Sequence, residues 1–237
     1  MRYHGRSKIL PFFFNKDAIM LVIFDLDGTI LNTLEDLASS GNHVLSCHGY
    51  PTHPTEAYKM FVGNGIQKLV ERILPEEYRT ESIISTLYQE FLEYYDLHKM
   101  DKTVPYSGII ELLEGLQNQG IKLAVASNKA HEAMGPLMRH YFPTIRFSAV
   151  LGYRPGALPK PNPDMVFEII EAARETQKST LFVGDSCVDM ETAKRAGLKK
   201  VGVLWGYRTK EELVNAGADY ILEKPDLTSF NKILQFL

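Results

Sequence analysis

The stretch that decides the fold is Ile19-Met20-Leu21-Val22-Ile23-Phe24-Asp25-Leu26-Asp27-Gly28-Thr29. Its first six residues are continuously apolar, which is typical of a strand buried on both faces of a parallel sheet. Two aspartates and a glycine follow at the point where such a strand ends. Because ligands of open parallel sheets bind beyond the carboxyl ends of the strands, the sequence places two carboxylates where a site is expected.

Four later apolar runs resemble this first strand. They are Ile121–Ala126, Thr180–Val183, Val201–Leu204 and, more weakly, Asp219–Leu222. Apolar residues at helical spacing lie between these runs. The alternation of strand and helix predicts an α/β fold with a doubly wound, Rossmann-like parallel sheet as its core.

One long segment breaks this alternation. Residues 33–102 show helical patterns and no convincing strand, and Thr33 and Asp36 have the spacing of a capping box at its start. We therefore predict a small all-helical cap domain at 33–102, inserted into a core domain formed by 18–32 and 103–237. The remaining residues, 1–17, are predicted to form an N-terminal extension.

Composition excludes several classes of protein. With 237 residues and a net charge of -3, the chain has no strong field that would favour nucleic acid or an anionic membrane. No apolar run reaches membrane-spanning length. The two cysteines, Cys47 and Cys187, are interpreted as plain buried thiols, and so small a number favours a reducing, cytoplasmic setting.

The predicted strand ends bring four carboxylates together. Asp25 and Asp27 follow the first strand, and Asp185 and Asp189 follow the third of the five runs. Like charges at close range raise one another's pKa and destabilise the fold, and a divalent cation removes that problem. Mg²⁺ prefers oxygen ligands and pairs with phosphate oxygens, so the acidic cluster predicts a magnesium site and a phosphorylated substrate.

The phosphate itself needs hydrogen-bond donors. Ser127 and Asn128 follow the second strand, and Lys160 lies in the loop before the third. Together with the backbone N–H groups after Asp25, these side chains can stabilise charge in the transition state. Asp25 can attack phosphorus to form an aspartyl phosphate, while Asp27 protonates the leaving oxygen and then activates water.

These residues resemble the four motifs of the haloacid dehalogenase superfamily, and they occur in the same order. The motifs are Asp25-x-Asp27-Gly28-Thr29, Ser127, Lys160, and Asp185 with Asp189. The resemblance covers the chain from about Met20 onward. It implies that Asp25 is the nucleophile, that Asp27 is the acid/base, and that Ser127 and Lys160 complete the catalytic set. It also implies that Mg²⁺ is held by Asp25, by the backbone carbonyl of Asp27 and by Asp185, with Asp189 as a ligand or a supporting residue.

Within this superfamily the chain is most similar to phosphoglycolate phosphatases. The similarity lies in Phe61–Leu69, Ser127–Lys129 and Trp205–Tyr207. The N–H groups of the glycine loop in the first of these segments could hold a carboxylate or a phosphate at a helix start, although a plain helix-entry turn explains the loop equally well. The substrate-binding candidates are Gly28, Thr29, Gly63, Asn64, Gly65 and Asn128.

The sequence thus predicts a magnesium-dependent phosphatase, a monomer or homodimer, that acts on a small phosphorylated metabolite such as phosphoglycolate. A phosphomutase resembling β-phosphoglucomutase, or a pyrophosphatase, uses the same core residues and stays open as an alternative. A non-catalytic regulatory protein is a third hypothesis. Such a protein would be free to lose the nucleophile or the lysine, and both Asp25 and Lys160 are present.

Overall fold

A computed structural model describes residues 19–236 of the chain. The predicted extension at 1–17 lies outside the described residues. The strands are β1 (Leu21–Phe24), β2 (Leu31–Asn32), β3 (Val104–Pro105), β4 (Lys122–Ala130), β5 (Phe147–Tyr153), β6 (Thr180–Gly184), β7 (Lys199–Val203) and β8 (Tyr220–Leu222). The helices are α1 (Leu34–Cys47), α2 (Tyr58–Phe61), α3 (Ile66–Ile73), α4 (Glu81–His98), α5 (Ile109–Asn118), α6 (His131–Tyr141), α7 (Asp164–Ala173), α8 (Cys187–Arg195), α9 (Lys210–Asn215) and α10 (Leu227–Gln235).

Six of these strands form one parallel sheet in the order β5-β4-β1-β6-β7-β8. The central strand, β1, pairs with β4 on one side and with β6 on the other. The chain therefore fills one half of the sheet before it crosses to the other half, and the direction reverses at β1. A crevice forms at such a reversal, beyond the carboxyl end of the strand. The predicted doubly wound α/β fold is confirmed.

The two faces of β1 explain its unbroken apolar sequence. Val22 and Phe24 pack into a cluster with residues of α5, α6 and α10, whereas Leu21 and Ile23 pack against α7. All four side chains are fully buried, because successive residues of a strand point to opposite faces and both faces carry helices.

The segment from α1 to α4 packs as a helical unit above the sheet. Its own apolar cluster includes Leu37, Tyr58, Leu69 and Phe91. Two additional turns of 3₁₀ helix, Thr55–Ala57 and Glu76–Tyr78, connect its helices. We call this unit the cap.

The chain enters and leaves the cap through a narrow neck. Here β2 pairs antiparallel with β3, so the outgoing and returning segments lie side by side. The buried Asp36 carboxylate joins them, because it accepts hydrogen bonds from Lys102 N (3.0 Å) and from Thr103 N (2.8 Å) and Thr103 Oγ1 (2.7 Å). The predicted capping box is therefore wrong: Asp36 binds the returning segment, and the Thr33 side chain makes no cap hydrogen bond.

Three further details differ from the sequence interpretation. The strand predicted to end at Ala126 continues to Ala130, with a register shift against β5 between those residues. The edge strand β5 carries no predicted run, because its residues are mostly half-exposed and lack a continuous apolar pattern. Finally, the thiols of Cys47 and Cys187 are exposed rather than buried, since both lie on outward-facing helix positions.

Candidate active site

Three carboxylates meet at the carboxyl end of the central strands. Asp25 follows β1, Asp185 follows β6, and Asp189 lies in the first turn of α8. Each of the three offers an oxygen that lies within 4.8 Å of the others, and all three residues are buried. We call Asp25, Asp185 and Asp189 the carboxylate cluster.

One ammonium group lies within this cluster. Lys160 Nζ donates to Asp25 Oδ1 at 2.8 Å, to Asp189 Oδ1 at 2.7 Å and to the carbonyl of Ala126 at 2.9 Å. The residue is only 3% exposed. Burial alone would lower the pKa of Lys160, but the charges of Asp189 and Asp25 outweigh it and hold the pKa above its ordinary value. The lysine is therefore a fixed cation.

The cluster still carries more negative than positive charge. Burial, together with the charge of Asp189, raises the pKa of Asp25 to about 7, although Lys160 pulls in the opposite direction. Burial, together with the charges of Asp189 and Asp25, also raises the pKa of Asp185 well above its ordinary value. Three carboxylates against one ammonium, with oxygen donors only, form a set that suits a hard divalent cation.

Two glycines, Gly28 and Gly206, leave the space that the Asp185 side chain occupies beside the turn after β1. A Cβ atom on Gly28 would lie 2.3 Å from Asp185 Oδ2, and one on Gly206 would lie 2.3 Å from Asp185 Cβ. Gly28 also has φ +86°, a conformation that favours glycine. The Asp185 carboxylate is then held by Tyr207 N, which donates to Oδ2 at 2.7 Å. Its other oxygen, Oδ1, accepts no hydrogen bond from the described residues.

Asp189 differs, because both of its oxygens are engaged. Oδ1 accepts from Lys160, and Oδ2 accepts from Ser186 N (3.1 Å) and Ser186 Oγ (2.6 Å). Ser186 and Asp189 thereby form a capping box at the start of α8. The carboxylate stabilises the helix start and fixes the lysine at the same time.

Asp27 lies apart from the cluster and has a lysine of its own. Lys129 Nζ donates to Asp27 Oδ1 at 3.0 Å and to Oδ2 at 3.2 Å. Thr33 Oγ1 donates to Oδ1 at 2.8 Å. The two aspartates of one short motif therefore face different environments.

Ser127 and Asn128, which lie within the β4 register shift, make different contacts. Ser127 is 2% exposed, and its Oγ accepts a hydrogen bond from Lys129 N at 3.3 Å, which leaves the hydroxyl proton available. The Asn128 amide is fully engaged: Nδ2 donates to the carbonyls of Gly63 and Lys160 at 3.1 Å each, and Oδ1 accepts from Lys160 N at 2.8 Å. Asn128 thus connects the lysine loop to the cap.

The cap contributes a loop at 62–65, which we call the cap loop. Arg208, located after β7, donates to the carbonyl of Val62 at 3.0 Å and to that of Lys59. On the other side, Arg72 Nη2 donates to the Asn64 side-chain oxygen at 2.8 Å. Three carbonyls just before or within the loop, those of Lys59, Val62 and Gly63, are therefore bound by donors from the core.

These groups surround a cavity of about 40 Å³ between core and cap. Most predicted site residues line it, namely Asp25, Asp27, Gly63, Gly65, Ser127, Asn128, Lys160 and Asp185. Four predicted residues do not line it: Gly28, Thr29, Asn64 and Asp189. Thr29 is fully buried, and its Oγ1 has no hydrogen-bond partner among residues 19–236.

Sequence reasoning missed part of the lining. The cap supplies an apolar ceiling from Leu37, Val62, Ile66 and Leu69, and the core adds Lys129, Ser186, Tyr207 and Arg208. Lys129 follows the apolar run that ends at Ala126 and Arg208 follows the run that ends at Leu204, and this position in the sequence is the signal that could have identified them. The ceiling residues carry no such signal, since apolar residues at helical spacing look the same whether they face a core or a site.

The family follows from the comparison with known proteins. Residues 22–203 match the family model described as haloacid dehalogenase-like hydrolase. The match spans more than half of the chain and includes every residue of the carboxylate cluster. The chain belongs to this family of hydrolases, as predicted.

Individual relatives are similar over most of their length. A phosphoglycolate phosphatase from Agrobacterium fabrum is 33% identical, over 86% of this chain and 88% of its own. One from Aquifex aeolicus is 31% identical, over 91% of this chain and 99% of its own. A crystal structure of a predicted phosphoglycolate phosphatase from Haemophilus somnus superposes with a TM-score of 0.81 at 29% identity, covering 90% of this chain and 98% of that one. The prediction of a hydrolase similar to phosphoglycolate phosphatases is confirmed.

No helix between residues 19 and 236 combines the length and the apolar character needed to cross a bilayer.

Proposed function

We propose that the chain is a magnesium-dependent phosphatase that takes the phosphoryl group of a small phosphomonoester onto Asp25 and then releases it to water. The observation that carries the proposal is the buried Asp25 carboxylate at the end of β1, bonded to Lys160 and crowded by Asp185 and Asp189. A nucleophilic carboxylate, a fixed cation and an unneutralised acidic cluster together fit phosphoryl transfer.

The residues fit the proposed metal. Asp25 and Asp185 each keep an oxygen without a hydrogen bond from residues 19–236, and burial has raised the pKa of both, so the cluster needs positive charge. We assign Mg²⁺ to these two carboxylates and to the backbone carbonyl of Asp27. Asp189 supports Lys160 in this proposal, because both of its oxygens are already bonded. When bound, the ion neutralises phosphate oxygens and so stabilises charge in the transition state.

The chain's own groups divide the reaction between them. Asp25 attacks phosphorus, and the bond from phosphorus to the leaving oxygen breaks. The Asp27 carboxyl gives its proton to that oxygen, then accepts a proton from the water that attacks the aspartyl phosphate. Ser127 and Lys160 bind the phosphoryl oxygens throughout, since both line the cavity.

We further propose that residues 33–102 act as a cap domain over the core formed by 18–32 and 103–237. The cap loop is bonded to the core in this structure, and the apolar ceiling excludes water from the cavity. Because the cavity measures only about 40 Å³, we expect the cap to open when substrate enters.

The substrate we infer is phosphoglycolate or a phosphate of similar size. This chain aligns with most of the length of relatives that carry that name. The N–H groups of Gly63 and Gly65, at the start of α3, are the groups we assign to the far end of the substrate. A cytoplasmic setting, and a monomer or homodimer, complete the proposal.

The first experiment measures phosphate release from 4-nitrophenyl phosphate with Mg²⁺ and with EDTA, for wild type, Asp25→Asn and Asp164→Asn. Asp164 is an exposed aspartate of the same core, so it controls for the loss of one carboxylate. We expect activity that needs the metal, persists in Asp164→Asn and is lost in Asp25→Asn. Full activity in Asp25→Asn would refute the covalent mechanism.

A second experiment decides the substrate. Phosphoglycolate, hexose phosphates and pyrophosphate are compared by kcat/KM, with released phosphate as the readout. We expect phosphoglycolate to rank first. Conversion of a hexose phosphate to its isomer without release of phosphate would establish the mutase instead, and a preference for pyrophosphate would establish the pyrophosphatase.

A further inference from the structure

We propose that Lys129 is the positioning residue for the Asp27 carboxyl, and that Tyr95 of the cap completes this arrangement when the cap is docked. The inference rests on the function proposed above, because it concerns the proton transfer assigned to Asp27. It adds a role for Lys129, a residue of the Ser127–Lys129 segment to which no function was assigned above.

The contacts of Lys129 fix the plane of the Asp27 carboxylate. Its ammonium donates to both carboxylate oxygens, at 3.0 and 3.2 Å, and its side chain is only 2% exposed. A carboxylate bonded at both oxygens by one buried cation cannot rotate without breaking a hydrogen bond. Hydrogen bonds between two charged groups are stronger than neutral ones, so these two contacts hold the carboxylate firmly.

The remaining donor distinguishes the two oxygens. Thr33 Oγ1 donates to Asp27 Oδ1 at 2.8 Å, so Oδ1 accepts from two groups. Oδ2 accepts only the longer contact from Lys129 among the described residues. We therefore assign to Oδ2 the proton that is exchanged with the leaving oxygen and with water.

The cap supplies the other wall of this arrangement. Lys129 Nζ lies 4.8 Å from the centroid of the Tyr95 ring, which belongs to α4 of the cap. An ammonium over an aromatic face is stabilised by the ring, and more strongly when it is removed from water. Burial raises the pKa of Tyr95 to about 12, so the ring stays neutral at physiological pH. When the cap moves away, Lys129 becomes solvated and Asp27 loses its fixed orientation.

The proton balance defines what Lys129 affects. In the first step a bond forms between Asp25 and phosphorus, the bond from phosphorus to the leaving oxygen breaks, and the Asp27 proton moves to that oxygen. In the second step the oxygen of water bonds to phosphorus, Asp27 takes the proton of water, and Asp25 leaves as a carboxylate. Lys129 remains charged throughout and transfers no proton.

The test compares two leaving groups in Lys129→Met. Nitrophenolate leaves without protonation, whereas an alkoxide needs the proton of Asp27. Because kcat/KM covers only the steps up to departure of the leaving group, it isolates acid catalysis from the later hydrolysis. We expect kcat/KM for phosphoglycolate, or for the best alkyl phosphate of the panel above, to fall by at least about tenfold more than kcat/KM for 4-nitrophenyl phosphate.

Matched variants distinguish a loss of Asp27 orientation from a general effect of removing a lysine. Lys122 is on the same strand as Lys129, at the end of β4 remote from the cavity, and it pairs with Glu175. We expect Lys122→Met to leave the ratio of the two kcat/KM values unchanged. Tyr95→Phe keeps the aromatic ring over Lys129, so we expect it to keep the wild-type ratio of the two kcat/KM values. Tyr95→Leu removes the ring, and it is expected to reproduce part of the selective loss.

The outcomes are distinct. An equal loss with both substrates in Lys129→Met, or a larger loss with the aryl substrate, would overturn the positioning role. If Lys129→Met does not fold, Tyr95→Leu and Thr33→Val decide in its place, and an unchanged ratio in both would overturn the inference. Failure of the proposed function gives another pattern: wild type would release no phosphate, or Asp25→Asn would remain active.

Discussion

The carboxylate cluster and the cap loop face each other across one cavity, and they are built on different principles. In the cluster, charged side chains are bonded within the core, and burial, together with the charge of Asp189, raises the pKa of Asp25 to about 7. In the cap loop, the bonded groups are mainly backbone carbonyls, which accept from Asn128 and Arg208 of the core. The difference supports the proposed division, in which the core carries the charge chemistry and the cap contributes shape and closure. Changes in the cluster should affect catalysis and stability, and changes at the loop should affect binding.

The largest expected effect comes from Lys160→Met. Removal of the cation leaves Asp25 and Asp189 buried without their partner, so we expect a loss of about 3–5 kcal/mol in the free energy of unfolding without metal. We also expect kcat to fall by about 10²–10³ or more, because a donor to the phosphoryl group is lost. Urea unfolding and steady-state kinetics measure both. Lys122→Met serves as the control, and a variant with activity within tenfold of wild type would contradict the cluster's role.

The second prediction concerns pH and Mg²⁺. In the metal-free protein the pKa of Asp25 is about 7, against an ordinary value of 3.8. The folded state therefore binds more protons than the unfolded state between these values, and its stability falls as pH rises through them. Mg²⁺ competes with those protons, so we expect its stabilising effect to increase as the pH rises from 5 through 7.

Thermal unfolding with EDTA and with Mg²⁺, at pH values from 5 to 8, measures this effect. Asp25→Asn removes one of the two carboxyl groups whose pKa is raised, so the metal-free stability should fall less steeply with pH than in wild type. The same Mg²⁺-induced shift in Tm at pH 5.5 and at pH 8 would show that protons and metal do not share the cluster.

The third prediction tests the loop side of the comparison. Arg208→Met removes donors to the carbonyls of Lys59 and Val62, and a hydrogen bond from a charged group contributes about 1.5–3 kcal/mol. We expect KM to rise by about tenfold, with a smaller change in kcat. Arg154→Met, which removes an exposed ion pair with Glu168, is the matched control. If kcat falls and KM does not change, Arg208 belongs with the catalytic groups and the comparison fails.

The smallest effect is expected from Asn64→Ala. The Asn64 side chain accepts from Arg72 and does not line the cavity, so kcat/KM should stay within about twofold of wild type, as for most changes away from a site. A tenfold rise in KM would restore the sequence-based assignment of Asn64 as a substrate-binding residue.

What the sequence could predict depended on patterns carried by single segments. The unbroken apolar run of β1 requires burial on both faces of the sheet. Polar residues that follow such strands lie at the carboxyl edge of the sheet, and this position predicted that Asp25, Asp185 and Ser127 belong to one site. The predicted capping box is wrong because Thr33 donates to Asp27, six positions earlier, and Asp36 accepts from Lys102 and Thr103, 66 and 67 positions later. The edge strand β5 lacked a pattern because it is half-exposed.

The environment of Asp27 was equally beyond a sequence pattern. Lys129 is 102 residues away along the chain, and Tyr95 comes from another structural unit. No local sequence pattern predicts that the side chains of Asp27, Lys129 and Tyr95 lie together. The same holds for Arg208, whose partners Lys59 and Val62 lie about 150 positions earlier in the chain.

The neck formed by β2 and β3, and tied by Asp36, has a consequence for chain connectivity. For the folding of the sheet, the segment between Asn32 and Val104 acts as one long loop whose two ends are held together by the neck. The entropy of closing a loop grows only slowly with its length, by about 0.6 kcal/mol per doubling. A cap joined through such a neck can be lengthened, shortened or replaced with little loss in the free energy of folding of the sheet. The same core can therefore carry caps that suit substrates of very different size.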